Sequence, residues 1–146
     1  MHPRGFSLVE LLVVVAVLGL LATLGLPRLA ASRQRAVSAS MISDLRNLVS
    51  AQEGFFASYQ DYAAGIASAE VPGPGTRGRA RLIPSTGNVV RVTRRAPTSA
   101  GKAGWSATVT NPVVTAKSID VCGVFVGSKS YAPNKAVTVE GAVACY

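Results

Sequence analysis

Three groups of residues could do chemistry, and each raises a different question. Glu10 is the one charged residue in an apolar run from 8 to 26. A carboxylate inside an apolar helix is costly unless it is paired or close to water. The plain reading keeps Glu10 at a membrane interface, where it stays hydrated. Cys122 and Cys145 both lie in the C-terminal quarter, outside that run. In an exported segment two such cysteines read first as a disulfide. The bond would close the chain end onto the last strand and add roughly 3 kcal/mol in the chain-entropy model. The third group is cationic. No acid stands between Glu70 and Asp120, while Arg77, Arg79, Arg81, Arg91, Arg94, Arg95 and Lys102 are all positive. Arginines grip phosphates without reading sequence. No stacking aromatic interleaves these cations, although Trp105 is close. They form either a solvated or subunit-contacting surface, or a site for DNA or an anionic surface.

Several function classes find no support. The 7 acidic residues are scattered. There is no nucleophile motif, phosphate loop or carboxylate cluster, so no enzyme is expected. His2 is the only histidine, and it lies in the first five residues. A catalytic cysteine would lack a base, and a metal site would lack ligands. No cofactor is implied. The net charge of +8 permits an anionic partner without requiring one.

The elements that must carry these residues follow from the pattern. A chain of 146 residues can hold one compact domain and one long helix. Residues 8–26 would span about 28 Å as a helix, against a hydrocarbon thickness of roughly 30 Å. The polar leader before them, residues 1–5, carries Arg4. No small-x-small cleavage site follows the apolar run, so the run reads as retained and not removed. Arg28, Arg33 and Arg35 follow it. By the positive-inside rule alone, the C-terminal part would stay in the cytoplasm. Gly19, Gly25 and Pro27 weaken a helix, and the simplest outcome is a harmless kink.

Beyond Pro27 the period changes. Met41, Leu45, Leu48, Phe55 and Tyr59 form a helical stripe if Gln52 fills the gap. Asp44, Arg46, Glu53 and Asp61 are expected on a solvated surface. Phe55, Phe56, Tyr59 and Tyr62 could suggest a ligand or an electron path, but core packing explains them. The helix is expected to end near 64–65, with Gly65 as its C-cap. From Phe6 to Ala63 it would measure about 87 Å, a rod that a filament core needs and a monomeric domain does not. Residues 71–78 read as a turn-rich break. Strands are expected at 89–93, 105–110 and 121–126. Trp105, Ala107 and Val109 alternate with Ser106, Thr108 and Thr110, as in a half-buried strand. The fold class is α+β, a small antiparallel sheet packed on the long helix.

The run Gly5-Phe6-Ser7-Leu8-Val9-Glu10, with the apolar residues after it, resembles the processing signature of type IV prepilins and pseudopilins. The match extends through Gly19 and Pro27. Ser43 to Leu48 and Gln52 to Ala57 resemble the mid-helix region of that family. Gly104 to Thr108 and Cys122 to Gly127 resemble the sheet of some small bacterial pilins. The resemblance implies the type IV pilin fold and a division into leader 1–5, membrane or filament-core helix 6–27, amphipathic continuation 28–64 and β-rich domain 65–146. It implies cleavage between Gly5 and Phe6 by a membrane prepilin peptidase, and N-methylation of Phe6. It places the C-terminal part outside the cytoplasm, against the charge count. Glu10 of one subunit would then neutralise the new amine on Phe6 of another and set its register. The helix could loosen between Gly19 and Pro27 when a filament stretches. The implied function is a structural pilus subunit, with a DNA- or surface-binding minor pilin or a type II secretion pseudopilin as alternatives. The implied partners are copies of the chain, the peptidase, an inner-membrane platform with its ATPase, and DNA or anionic surfaces. The precursor would wait in the inner membrane before joining an extracellular pilus or periplasmic pseudopilus.

Overall fold

An apolar segment must close its own backbone hydrogen bonds, and from residue 8 onward this chain does so as helix α1, Leu8–Tyr59. The computed structural model describes residues 5–97, 102–115 and 119–146, without the side chains of 24–27. Residues 1–4, where the sequence suggests a leader, lie outside the described residues, as does the side chain of Pro27. Met1–Arg35 and Ala36–Tyr146 are separate compact units.

In the first unit α1 begins at Leu8, two residues later than the resemblance implies. Ser7 takes the N-cap position, its carbonyl accepting from the Leu11 N–H at 3.2 Å. The apolar side chains that follow have nothing to cover them. Even Val14 and Val17, the least exposed of the large ones, show 49% of their surface. The Thr23 hydroxyl donates to the Leu20 carbonyl at 2.7 Å, which satisfies it without water. This helix is long and apolar enough to cross a membrane. The helix runs on through Gly19 and Pro27.

The second unit is built on the expected stripe. Met41, Leu45, Leu48 and Phe55 are buried on one face of α1. The first three meet Trp105, Ala107, Val109, Cys122 and Val124 from the sheet. Full burial of each such side chain contributes about 1.5–3 kcal/mol. Gln52 does fill the gap in the stripe, but not as a spacer. It is fully buried, and its amide grips the backbone of Ala63. Its Nε2 donates to the Ala63 carbonyl at 3.0 Å, and its Oε1 accepts from the Ala63 N–H at 2.9 Å. Gln52 therefore stands in for a neighbouring strand.

That grip accounts for an earlier helix end than the sequence suggests. The helix stops at Tyr59, and Gln60 takes the left-handed conformation at φ 54°. The chain then turns so that Ala63 reaches Gln52. Asp61 is not on a solvated surface. It accepts from Arg94 Nε at 2.9 Å and from the Gly75 N–H at 3.0 Å, and it forms an ion pair with Arg94. Burial pushes its pKa up, but the Arg94 hydrogen bond and charge and the Tyr62 and Gly75 N–H groups outweigh that. The net shift is downward.

Asp44 is buried too, contrary to expectation. It accepts from the Ser85 N–H and hydroxyl, both at 2.9 Å, and from Asn88 Nδ2 at 2.7 Å. Asn111 Nδ2 in turn donates to Asn88 Oδ1 at 2.7 Å. A buried carboxylate with three donors is a satisfied one. The aromatics pack as core elements. Phe55 meets Tyr59 with ring centroids 4.6 Å apart, and Phe56 stacks on Tyr62 at 4.7 Å. Burial first, and then Glu53, push the Tyr62 phenol up to about 12.

Two short strands follow the helix, β1 (Gly65–Ala67) and β2 (Arg79–Arg81), paired in parallel. The pattern did not show them, because each is only three residues long. The main sheet is an antiparallel meander of β3 (Val89–Arg95), β4 (Gly104–Thr110), β5 (Val121–Val126) and β6 (Ala144–Cys145). β3 runs two residues past expectation because Arg94 and Arg95 pair with Trp105 and Gly104. β4 is more buried than a half-buried strand, since residues 127–143 fold back over the outer face. Pro133 seats against Gly123, where a Cβ would lie 2.6 Å from it. Phe125, on that outer face, is 2% exposed.

Two outcomes are expected from full-length protein in detergent. Gln52→Leu should keep the volume but orphan the Ala63 N–H and C=O, lowering unfolding stability by about 1–3 kcal/mol; an unchanged denaturant midpoint would reject the strand-mimic role. Asp61→Asn should lower the unfolding midpoint at neutral pH. Because the folded-state pKa lies below the ordinary 3.8, the wild-type advantage should be present above that value and vanish as pH falls below it. A difference between the two proteins that ignores pH would contradict this.

Candidate functional site

The N-terminal residues are arranged for access. Gly5, Phe6 and Ser7 are exposed and lie ahead of the first helical turn. Glu10 is exposed in that first turn, three residues after the N-cap Ser7. Ser7 and Glu10 thus have the spacing of a capping box, and a carboxylate there favours the unpaired N–H groups of the helix start. The sequence holds this signal plainly, although the family resemblance draws attention to a different role for Glu10. Among the described residues, no ion pair forms to Glu10 within the chain. Gly19 is exposed, and a Cβ there would meet nothing.

The seven cations read from the sequence do not form one patch. Arg77 lies in a short 3-10 turn, Gly75–Arg77. Arg79 and Arg81 are exposed on β2, either side of buried Ala80. Arg94 faces the helix side of the sheet and is held by Asp61, so it is not available to an external anion. Lys102 is exposed just before β4, and its carbonyl accepts from the Tyr131 hydroxyl at 3.3 Å. Arg91 and Arg95 are exposed on the outer face of β3. They line a cleft of about 360 Å³ together with Thr93, Ser106, Thr108 and Ser130. The sequence reading missed the hydroxyls and the returning loop. Nothing in local spacing links residues 91–95 to 130–133.

Residues 1–26 match the family described as the prokaryotic N-terminal methylation motif. The type IV major pilin protein PilA of Myxococcus xanthus (strain DK1622) is 34% identical over 88 residues, which cover 58% of this chain. Over these stretches the chain is similar to a type IV pilin. The alignment spans 39% of the length of the Myxococcus pilin. No solved structure matches the chain. The matched motif contains Gly5, Phe6, Glu10 and Gly19, and it stops one residue short of Pro27.

The second unit closes on itself through Cys122 and Cys145. These residues face each other across β5 and β6, on the side of the sheet that packs against α1. The pair holds a two-residue strand in register at the end of the sheet. The Val121 N–H and the Tyr146 carbonyl, with the reverse bond at 2.9 Å, extend that pairing. A strand so short has little pairing energy of its own, so the covalent link carries the register. Reduction, or Cys145→Ser, should therefore cost roughly 3 kcal/mol for the 23-residue separation. The C-terminal amides should exchange faster than those of β3 and β4. Equal thermal unfolding of the oxidised and reduced protein would show that the link is dispensable.

Proposed function

We propose that this chain is a structural subunit of a type IV pilus or a related filament, stored in the inner membrane as a precursor. The observation that carries the reading is the uncovered apolar helix from residue 8 to 23 with a single carboxylate in its first turn. Such a surface cannot face water at equilibrium, because each large side chain left exposed forgoes about 1.5–3 kcal/mol. Lipid covers it first, and other copies of the same helix cover it after assembly. The membrane, the other copies, a prepilin peptidase and an assembly platform with its ATPase are the partners of that cycle.

Processing fits the exposure of Gly5 and Phe6. A peptidase needs an extended, reachable bond, and these residues precede the helix. Water adds across the Gly5–Phe6 amide, leaving a carboxylate on Gly5 and an amine on Phe6. A methyl donor then places a methyl group on that amine. The new positive charge stands beside the first turn that holds Glu10. In a bundle of apolar helices the charges of different subunits attract through a low dielectric, and an unpaired one is costly. Glu10 of an incoming subunit thus fixes its stagger against the Phe6 amine of its neighbour. Gly19 and Pro27 are the points where the helix can loosen under load, Gly19 by its freedom and Pro27 by its missing N–H.

The test is Glu10→Ala, expressed in the native host. The variant should still yield a chain that begins at methylated Phe6, seen as the N-terminal fragment mass. Sheared filament should fall by at least about tenfold, because the amine is left buried without a partner. Normal filament yield would reject the pairing, and an uncut chain confined to the membrane fraction in the wild type would reject the filament reading itself.

A further inference from the structure

The outer face of the sheet bears a second feature that helix-driven assembly does not use. Residues 127–143 leave β5, cross its outer face and return as β6. They stop short of covering β3. The uncovered strip between Arg91, Arg95 and the segment 130–133 is the cleft described above. Arg91 and Arg95 are four residues apart on one face of a strand, about 13 Å from Cα to Cα. The hydroxyls of Thr93, Ser106 and Thr108 lie along the floor. A second cleft of about 340 Å³ adjoins it, with Ala132 in the lining of both. Lys129 and Lys135 stand in that second cleft beside Asn134 and Thr138. Four cations therefore line this pair of clefts, which together form a track, and among the described residues lining them none is acidic.

The chemistry of the track selects its ligand. A run of cations separated by hydroxyl and amide groups suits a chain that alternates anionic groups with hydroxyls. A single nucleic-acid strand would need open aromatic faces for its bases. Tyr131 is the one aromatic in the lining, and its ring is already used. It lies against Gly104, where a Cβ would come within 2.7 Å of it, and the Arg95 guanidinium sits 5.9 Å from its centroid. The volume is that of a small-ligand site, in the range of about 300–1,000 Å³. It accommodates a unit or two of a narrow chain and not a duplex. We propose that this track binds an acidic polysaccharide, with Arg91 and Arg95 pairing with its carboxylate or sulfate groups and Thr93, Ser106 and Thr108 meeting its ring hydroxyls. Tyr131 positions Arg95 and is itself held by its bond to the Lys102 carbonyl. The proposal does not rest on filament assembly, since the track lies within one copy of the chain.

The experiment uses full-length protein in detergent and three fluorescent probes of equal length: an alginate oligomer, a neutral dextran oligomer and an oligo-dT strand. Alginate should bind best, and binding should weaken as salt rises. Arg91→Gln with Arg95→Gln should weaken it by at least about tenfold, the loss of two charge-assisted contacts. Arg79→Gln with Arg81→Gln should change it by less than about twofold, because those charges lie off the track. Both substituted residues of the first variant are exposed, so its thermal unfolding should match the wild type. If it does not, Lys129→Gln with Lys135→Gln takes its place, and about threefold weaker binding is expected. Equal binding of dextran, tighter binding of oligo-dT, no binding of alginate, or equal losses in the β2 variant would each overturn the proposal.

Discussion

Between Leu8 and Leu21 every large apolar side chain of this protein is exposed. The cost of leaving that surface in water exceeds anything that one small domain could offset. The chain therefore needs a second environment, and its remaining features can be understood as ways of living in two. The apolar run from 8 to 26 carries almost nothing polar. Its single hydroxyl at Thr23 is satisfied by its own helix. Its single carboxylate is placed in the first turn, where the helix N–H groups welcome a negative charge.

The same helix changes character at its far end, where it becomes one wall of a core. Apolar packing there is ordinary in kind. What makes it specific is a set of three buried or half-buried side chains that each hold a different piece of chain. Asp44 holds the approach to β3 through Ser85 and Asn88. Gln52 holds the strand-like backbone at Ala63. Asp61 holds Arg94 at the end of β3 and the turn at Gly75. Each anchor satisfies groups that would otherwise be buried without partners, so a shifted register would orphan several at once. The disulfide adds a covalent anchor at the last strand.

These anchors also decide which charges remain for the outside. Arg94 and Arg95 are neighbours in sequence and strangers in structure. The alternation of a strand sends Arg94 to Asp61 and Arg95 to the outer face. The returning loop then brings Lys129 and Lys135 to that face and leaves Arg77, Arg79 and Arg81 elsewhere. A basic composition thereby becomes a narrow track with hydroxyls between its charges.

The sequence by itself determined the apolar span, the stripe of Met41, Leu45, Leu48 and Phe55, and the cores of β3, β4 and β5. It also held the prepilin-like start at Gly5 to Glu10. All of these are local patterns, written in the spacing of apolar residues or in a few adjacent positions. Tertiary structure alone decided that Asp44 and Asp61 are interior, that Gln52 imitates a strand, and that the helix stops at Tyr59. It also decided which arginines stay free. Asp44 and Asn88 are 44 residues apart and Asp61 and Arg94 are 33 apart. Strands as short as β1, β2 and β6 exist because something else holds them in place. A polar side chain is exposed or buried according to whether a distant partner arrives to satisfy it, and no period along the chain records that arrival.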